Sequence, residues 1–319
     1  MYEQLQQLDH IRLNFNPDGL FALNITLGII MFGVALGIKL SNFKKVITFP
    51  KPAIVGVISQ FVLLPMASFL LVLVLQNYVT QSVALGIILV ASCPGGNISN
   101  FISSLAKANV ELSVSLTAVS TILAVFMTPL NFALWGGLYI KYTTVAVVGS
   151  ELLKPISIDA YQMFISVLTL LGIPLILGML FSWKFPQITK KIIKPIQNIS
   201  VVIFMSFVII AFVKNYDYFV DYIAWITIIV LLHNALALFT GFSIASIFGI
   251  ARRNRRTITI ETGIQNSGLA LVLLFNPKIF DPDLPLGGML FIAAWWGIWH
   301  IISGLGLAAF LKRVPLKNF

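Results

Sequence analysis

Long apolar runs alternate with short polar segments along the 319-residue chain, and this alternation predicts its elements. A run of about 20 apolar residues without charge indicates a transmembrane helix, because the hydrocarbon core of a bilayer is roughly 30 Å thick. The pattern predicts an all-α polytopic membrane protein with nine transmembrane helices. They are expected at about 20–40, 53–76, 82–106, 109–140, 160–182, 196–214, 222–249, 256–276 and 284–311.

Two of the predicted helices are interrupted by glycine and small polar residues. The stretch "CPGGNISN" (93–100) interrupts the third helix, and "ETGIQNSG" (261–268) interrupts the eighth. Pro94 removes a backbone donor, and Gly95 and Gly96 permit the φ values that the chain needs to leave and re-enter the helix. Unpaired backbone groups cost several kcal/mol each in hydrocarbon, so a broken helix persists only where protein, ions or water satisfy them. A packing kink would explain one such break, whereas two breaks indicate a binding site.

The order of the helices predicts an internal repeat of inverted direction. The loop at 141–159 divides the chain into a first repeat (1–140) of four helices and a second repeat (141–319) of five. The last three helices of the two repeats run in opposite directions, and the middle one is the broken helix in each repeat, at 82–106 and 256–276. Inverted repeats with broken helices at matching positions are typical of the binding sites of secondary transporters.

Composition and charge support this membrane topology. Hydrophobic residues make up 58% of the chain and charged residues 10%, against about a quarter charged in soluble domains, which excludes a large soluble helical protein. The net charge of +10 comes from Lys and Arg residues that are concentrated in every second loop. Cytoplasmic loops of membrane proteins are typically enriched in these residues. We therefore expect the N-terminus outside, the C-terminus in the cytoplasm of a plasma (inner) membrane, and no nucleic-acid partner. The basic segments are 39–51, 107–111, 184–194, 252–256 and 312–317.

Glu261 is the one acid that lies clearly inside a predicted helix, and a carboxylate in that position indicates a function. It would serve as an ion ligand, as a proton carrier or as the partner of a buried base. The alternative is a glutamate at the membrane interface that extends toward Arg255 or Arg256 and has no role in binding. Oxygen-bearing side chains in apolar surroundings accompany it, and such a set suits a hard monovalent cation better than zinc or copper. They are Gln60, Ser99, Asn100, Ser113, Thr117, Gln265 and Asn266.

Catalytic motifs are missing from the sequence. There is no HExxH zinc motif, no phosphate-binding GxxxxGK[ST] loop, no GxSxG nucleophile and no pair of intramembrane aspartates. His10, His233 and His300 lack the spacing of zinc ligands. We expect a protein that is not an enzyme and that uses no organic cofactor.

The quoted motifs resemble those of the bile acid:sodium symporter family. The matching stretches follow the family's order over almost the whole chain. They are "LGIIMFGVALGIK" (27–39), "ISQFVLLP" (58–65), "CPGGNISN" (93–100), "VELSVSLTAVSTILAVFMTPL" (110–130), "ETGIQNSGLAL" (261–271) and "WHIISG" (299–304). The resemblance implies two crossing discontinuous helices in a core domain, here 53–140 and 222–319, and a smaller panel domain, here 20–40 and 160–214.

The resemblance also implies two sodium sites and a substrate site. One sodium site would use Ser99, Asn100, Ser113, Thr117 and Glu261. The other would use Gln60, Glu261 and Gln265 with backbone carbonyls near Thr262 and Ile264. Substrate contacts would come from Asn97, Asn266 and the backbone N–H groups of Ser267 and Gly268. His300, near the middle of the last helix, is expected to line the same cavity. Asn97 stands where many members have threonine, and Ile301 stands where the family has asparagine, so the identity of the substrate stays open.

The expected function is a sodium-coupled symporter that imports an organic anion by alternating access and works as a monomer. The anion would be a bile acid or a smaller carboxylate or sulfonate. A sodium-independent or proton-coupled carrier or exporter of a small solute such as arsenite is the alternative, in which Cys93 beside the break would be functional. A channel or a non-transporting membrane receptor is a further alternative.

Overall fold

The computed structural model describes residues 2–9, 17–38, 50–146, 158–214, 216–281 and 284–315, and this part of the chain is predominantly helical. Its β-structure is limited to one isolated bridge between Gly95 and Gln265. The helices are α1 (Tyr2–Asp9), α2 (Pro17–Leu36), α3 (Pro50–Val74), α4 (Gln81–Ser92), α5 (Ile98–Leu105), α6 (Val110–Thr143), α7 (Ala160–Lys184), α8 (Pro186–Lys214), α9 (Tyr216–Ile247), α10 (Arg252–Gly263), α11 (Ser267–Leu274) and α12 (Gly287–Arg313).

Five helices in the described ranges are long and apolar enough to cross a bilayer, namely α3, α6, α7, α9 and α12. The chain is therefore a multi-pass membrane protein. Each segment that the sequence predicts to be helical contains helix in the structure, and the segments at 82–106 and 256–276 each contain two shorter helices. Most of the basic segment at 39–51, the end of the one at 312–317 and most of the loop at 141–159 lie outside the described residues.

The two interruptions lie directly against each other. The backbone N–H of Gly96 donates to the carbonyl of Ile264 at 2.7 Å, and that of Asn266 donates to the carbonyl of Pro94 at 2.8 Å. These bonds satisfy backbone groups that the helix ends leave unpaired. The two breaks predicted from separate parts of the sequence thus form one structural unit.

Irregular turns interrupt three of the long helices, and proline accounts for two of them. A π-helical turn occupies Ser59–Leu63 in α3, with Pro65 just after it. Similar turns lie at Phe132–Gly136, after Pro129, and at Leu168–Gly172, before Pro174. Pro65 and Pro174 offer no N–H to the carbonyls four residues earlier, which lie inside these turns, so the helix widens or bends there. The first of these turns contains Gln60.

Packing groups the helices around the breaks. α10 packs along α9, where Gly241 allows the backbones to touch: a Cβ on Gly241 would lie 2.9 Å from the carbonyl oxygen of Ile258. α4 is buried along almost its whole length and packs along α12. α2 packs against α7 and α8.

The short helix α1 joins the ends of two longer helices. Its Leu5 and Leu8 are buried in the main hydrophobic core. The half-buried Asp9 accepts a hydrogen bond from Thr80 Oγ1 at 3.0 Å, and Thr80 is the N-cap of α4. The carboxyl also accepts the backbone N–H of Gly288 in the first turn of α12. Burial raises the pKa of Asp9 from 3.8 to about 7, although these hydrogen bonds lower it.

Asp9→Asn is expected to weaken the dependence of stability on pH. The folded protein keeps the Asp9 proton up to about pH 7, whereas the unfolded chain releases it near 3.8, so the contribution to stability is full below the lower value and is lost as pH rises through 7. At pH 8 the variant should unfold at a temperature higher by a few degrees. Thermal unfolding in detergent at pH 5.5 and 8 measures this, with Glu3→Gln on the same helix as the control. Equal pH dependence in the variant and the wild type would contradict the expectation.

Candidate functional site

Three hydroxyl groups surround the carboxylate of Glu261, which is 5% exposed. Ser99 Oγ and Ser113 Oγ donate to Glu261 Oε1 at 2.6 and 2.5 Å. Thr117 Oγ1 lies 3.1 Å from Oε1 and 3.2 Å from Oε2. α5 supplies Ser99, whereas Ser113 and Thr117 lie one turn apart on one face of α6. Three side chains from two helices therefore converge on one buried carboxylate of a third helix, α10.

The first break also touches this carboxylate. Asn100 Oδ1 lies 3.4 Å from Thr117 Oγ1, and a Cβ on Gly95 would lie 2.9 Å from Glu261 Oε2. The five residues expected for the first sodium site thus lie together. Their oxygen atoms carry a single formal negative charge, which suits a hard monovalent cation.

The arginines near Glu261 in sequence bind other groups. Arg256 donates to the carbonyl of Ala106 at 2.9 Å and to that of Val314 at 2.7 Å. Arg255 donates to Ser246 Oγ at 3.3 Å. The hydrogen bonds of Glu261 run to the three hydroxyls instead, so the structure does not match the alternative of an interfacial glutamate near these arginines.

The residues expected for the second sodium site are linked by amide hydrogen bonds. Gln60 Nε2 donates to Gln265 Oε1 at 2.8 Å and to the carbonyl of Cys93 at 3.0 Å. Gln265 Nε2 donates to the carbonyl of Thr262 at 2.7 Å, and the carbonyl of Ile264 accepts the N–H of Gly96. Each of these oxygens keeps a second lone pair. The expected ligands of this set are therefore close together, and each accepting oxygen already holds one donor.

The expected substrate residues lie at the N-terminal ends of the two short helices α5 and α11. Asn97 is exposed at the N-cap of α5. Asn266 caps α11, and its Oδ1 accepts the N–H of Leu269 at 3.1 Å. Ser267 is buried and Gly268 is half-buried. The polar groups at these two helix ends thus flank the contact between the breaks.

His300 lies on the face of α12 that packs against the breaks. A Cβ on Gly297 would lie 2.8 Å from Ser267 Oγ, and one on Gly304 would lie 2.9 Å from the side chain of Ile264. Residues 297, 300 and 304 share one helical face. His300 is buried, and its Nδ1 has no hydrogen-bond partner among the described residues. It therefore belongs to the same region as Ser267.

Comparison with known sequences identifies the family of the chain. The model described as "Sodium Bile acid symporter family" matches residues 24–222, which is more than half of the chain. The chain belongs to the sodium bile acid symporter family.

Relatives within the symporter family cover most of the chain. A Bacillus subtilis (strain 168) protein named "Uncharacterized sodium-dependent transporter YocS" is 31% identical over 314 residues, which cover 96% of this chain and 89% of that protein. The rice protein "Probable sodium/metabolite cotransporter BASS2, chloroplastic" is 28% identical and covers 85% of this chain and 63% of its own length. The human "Sodium/bile acid cotransporter 4" is 26% identical over a region that covers 93% of this chain and 67% of that protein. All three are named as transporters, and the family is one of transporters rather than enzymes.

In this member of the sodium bile acid symporter family, Cys93 occupies a packing position. Cys93 is fully buried within the main hydrophobic core. A thiol that binds a solute such as arsenite has to be reached by that solute. The structure provides no access to this thiol within the described residues, although its backbone carbonyl accepts the amide of Gln60.

Sequence reasoning missed several groups that contact the breaks of this symporter-family protein. Ser59 Oγ lies 2.8 Å from Thr262 Oγ1, and Asn234 Nδ2 donates to the carbonyl of Gly263 at 2.8 Å. Each is one polar residue in an apolar helix, a pattern more typical of ordinary helix–helix contacts. Gly95 and Gly96 do not use the positive φ values that glycine permits, since the described glycine with positive φ is Gly249. Close contact with Glu261 requires a glycine at 95 instead.

Proposed function

We propose that the protein is a sodium-coupled secondary active symporter that imports an organic anion by alternating access. The observation that carries the proposal is the cluster of hydroxyls around Glu261 where the two breaks meet. A buried carboxylate without a cation is costly, and the surrounding groups are oxygen ligands suited to sodium. The relatives named as sodium-dependent transporters and cotransporters support the same reading.

Sodium at the first site would bind Ser99, Asn100, Ser113, Thr117 and Glu261. In the structure the hydroxyl hydrogens point to the Glu261 carboxylate. A bound sodium ion would instead face the hydroxyl lone pairs, and it would neutralise the charge of Glu261. Binding would thereby remove the cost of the buried carboxylate and order the contact between the breaks.

Sodium at the second site would bind Gln60, Glu261 and Gln265 with the backbone carbonyls of Thr262 and Ile264. Gln60 Nε2 now occupies one lone pair of Gln265 Oε1. The ion would compete with that amide donor, and the Gln60 side chain would turn its own oxygen to the ion. The two glutamines would in this way exchange a mutual hydrogen bond for ion binding.

The anion would bind where α5 and α11 begin. Helix N-termini carry partial positive charge and free N–H groups, which favour anions. We assign the contacts to Asn97, Asn266, Ser267, Gly268 and His300. Sodium ions beside these helix ends would add positive charge, so sodium would raise the affinity for a carboxylate or sulfonate. This electrostatic coupling would make transport of the two solutes interdependent.

The proposed architecture has nine transmembrane spans in two inverted repeats, 1–140 and 141–319. The core domain would comprise 53–140 and 222–319, and the panel 20–40 and 160–214; the packing of α2 against α7 and α8 supports the panel. Rocking of panel against core would open the site to either side. We propose that the N-terminus lies outside, that the C-terminus lies in the cytoplasm of a plasma (inner) membrane, and that one chain suffices.

Uptake into proteoliposomes tests this function. With two sodium ions per anion, a tenfold inward sodium gradient supplies about 2.8 kcal/mol and supports roughly 100-fold accumulation. A bile acid, a small carboxylate and a sulfonate should be offered with sodium or with choline outside. We expect accumulation of at least one anion with sodium only. Equal uptake with choline would contradict the symporter and favour the sodium-independent carrier, whereas uptake driven by a proton gradient would favour the proton-coupled one.

A further inference from the structure

Two buried asparagines hold irregular backbone on either side of the proposed second sodium site. Asn131 of α6 is 5% exposed, and its Nδ2 donates to the carbonyl of Phe61 at 2.9 Å. Asn234 of α9 is 1% exposed, and its Nδ2 donates to the carbonyl of Gly263 at 2.8 Å. Neither asparagine belongs to the sodium or substrate sets proposed above.

Phe61 has a carbonyl that its own helix leaves without its usual donor. In a regular helix the N–H four residues later would bind it, and here that residue is Pro65, which has no N–H. The π-helical turn Ser59–Leu63 surrounds this carbonyl. Asn131 supplies the missing donor from another helix. Gln60 precedes Phe61 directly, so the bond fixes the backbone from which the Gln60 amide extends.

Gly263, in the second break, also has a carbonyl without a donor from its own helix. α10 ends at this residue, so its last carbonyls have no intrahelical donors. Thr262 and Ile264, on either side, have carbonyls bound by Gln265 Nε2 and by the N–H of Gly96. The carbonyl of Gly263 is bound by Asn234. Because glycine is the residue with the least conformational restriction, this external bond is what fixes the peptide plane between the two proposed ligands.

We infer that Asn131 and Asn234 are positioning residues for the second sodium ion. This inference rests on the proposed function. Asn131 orients Gln60, and Asn234 orients the carbonyls of Thr262 and Ile264. The first site is served differently, since its ligands bind one another directly around Glu261 and Thr117 lies about four turns of α6 away from Asn131. Loss of either asparagine amide should therefore affect one of the two sodium ions.

Asn131→Leu and Asn234→Leu test the inference, because leucine has a similar size and no donor. One lost hydrogen bond corresponds to about 1 kcal/mol, so the half-saturating sodium concentration should rise about fivefold, and sodium dependence should become less sigmoidal. The maximal uptake rate should recover at high sodium. The sodium-induced rise in unfolding temperature, with choline chloride as the ionic control, should shift to higher sodium in the same proportion without any need for transport.

Thr128→Val is the matched control. Thr128 is buried on α6 one turn before Asn131, and its Oγ1 has no hydrogen-bond partner among the described residues. This variant should keep the wild-type sodium dependence. If the leucine variants do not give a monodisperse protein, Asn131→Ser and Asn234→Ser replace them. The same rise in the half-saturating sodium concentration is expected for the serine variants.

The outcomes separate the two proposals. A lower maximal rate with an unchanged half-saturating sodium concentration, or an equal shift in Thr128→Val, would overturn the positioning role and leave the symporter intact. A wild-type protein that is neither stabilised by sodium nor driven by it would overturn the proposed function itself.

Discussion

Replacing Glu261 by glutamine is expected to abolish sodium-driven uptake while the protein stays folded. Glutamine has nearly the same shape and keeps an oxygen that accepts the hydrogen bonds of Ser99 and Ser113, but it removes the negative charge proposed to face both sodium ions. A unit charge 4 Å from a cation contributes about 4 kcal/mol at an effective dielectric constant of 20, so sodium affinity should fall several hundred-fold. Uptake into proteoliposomes under a sodium gradient measures the loss.

A direct measurement keeps binding separate from transport for Glu261→Gln. Sodium should raise the unfolding temperature of the wild-type protein in detergent and have no such effect on the variant. Glu111→Gln is the matched control, because Glu111 is an exposed carboxyl on α6, the helix that carries Ser113 and Thr117. Uptake by the Glu261 variant that still follows the sodium gradient would refute the role proposed for this carboxylate.

The positions of the breaks could be predicted from sequence because their signals are local. Pro94 and the two glycines after it interrupt a helix wherever they occur, and Glu261 is conspicuous in an apolar helix. The inverted order of helices that the sequence predicts then indicates that two such breaks belong to one site. The contact itself, between Gly96 and Ile264 for example, is a backbone bond that does not depend on side-chain identity, so no residue pattern specifies it.

Asn131 and Asn234 mark the limit of sequence reasoning. Pro65 does reveal that the carbonyl of Phe61 lacks a donor, since the consequence of a missing N–H is local. Which side chain supplies the replacement depends on how α3 and α6 pack, and 70 residues separate Asn131 from Phe61. The same is true of Asn234 and Gly263. A carbonyl that lacks a donor in its own helix can therefore be found from sequence, whereas the side chain that binds it is identified only from the structure.

For Gly95, the sequence predicted the position but not the reason for a glycine there. Its position in a break was evident from sequence, but the structure does not use the backbone freedom of glycine there, because the φ of Gly95 is not positive. Contact with a distant carboxylate sets the requirement: a Cβ on Gly95 would lie 2.9 Å from Glu261 Oε2 and 3.4 Å from the backbone oxygen of the same residue. A local conformational argument cannot reveal a constraint imposed by a residue 166 positions later.

Gly95→Ala is accordingly expected to displace the Glu261 carboxylate from its hydroxyl partners. Overpacking of this kind costs about 1–3 kcal/mol, which corresponds to roughly a 5- to 150-fold loss of sodium affinity if it acts on the site. Uptake as a function of sodium concentration measures the loss. Gly306→Ala on α12 is the control, because a Cβ there would meet no atom within 4 Å.

A second substitution distinguishes a clash at the carboxylate from a general defect of the break. Glu261→Asp shortens the side chain by one methylene and makes room beside residue 95. If the methyl group acts through this carboxylate, the double variant Gly95→Ala, Glu261→Asp should lose less sodium affinity than the sum of the two single effects, since residues in contact are not additive. Additive losses would indicate that residue 95 acts on the break by another route. A methyl group cannot occupy that position while Glu261 stays where the three hydroxyls hold it. If Gly95→Ala alone kept the wild-type sodium dependence, the close contact between residue 95 and Glu261 would have no part in sodium binding.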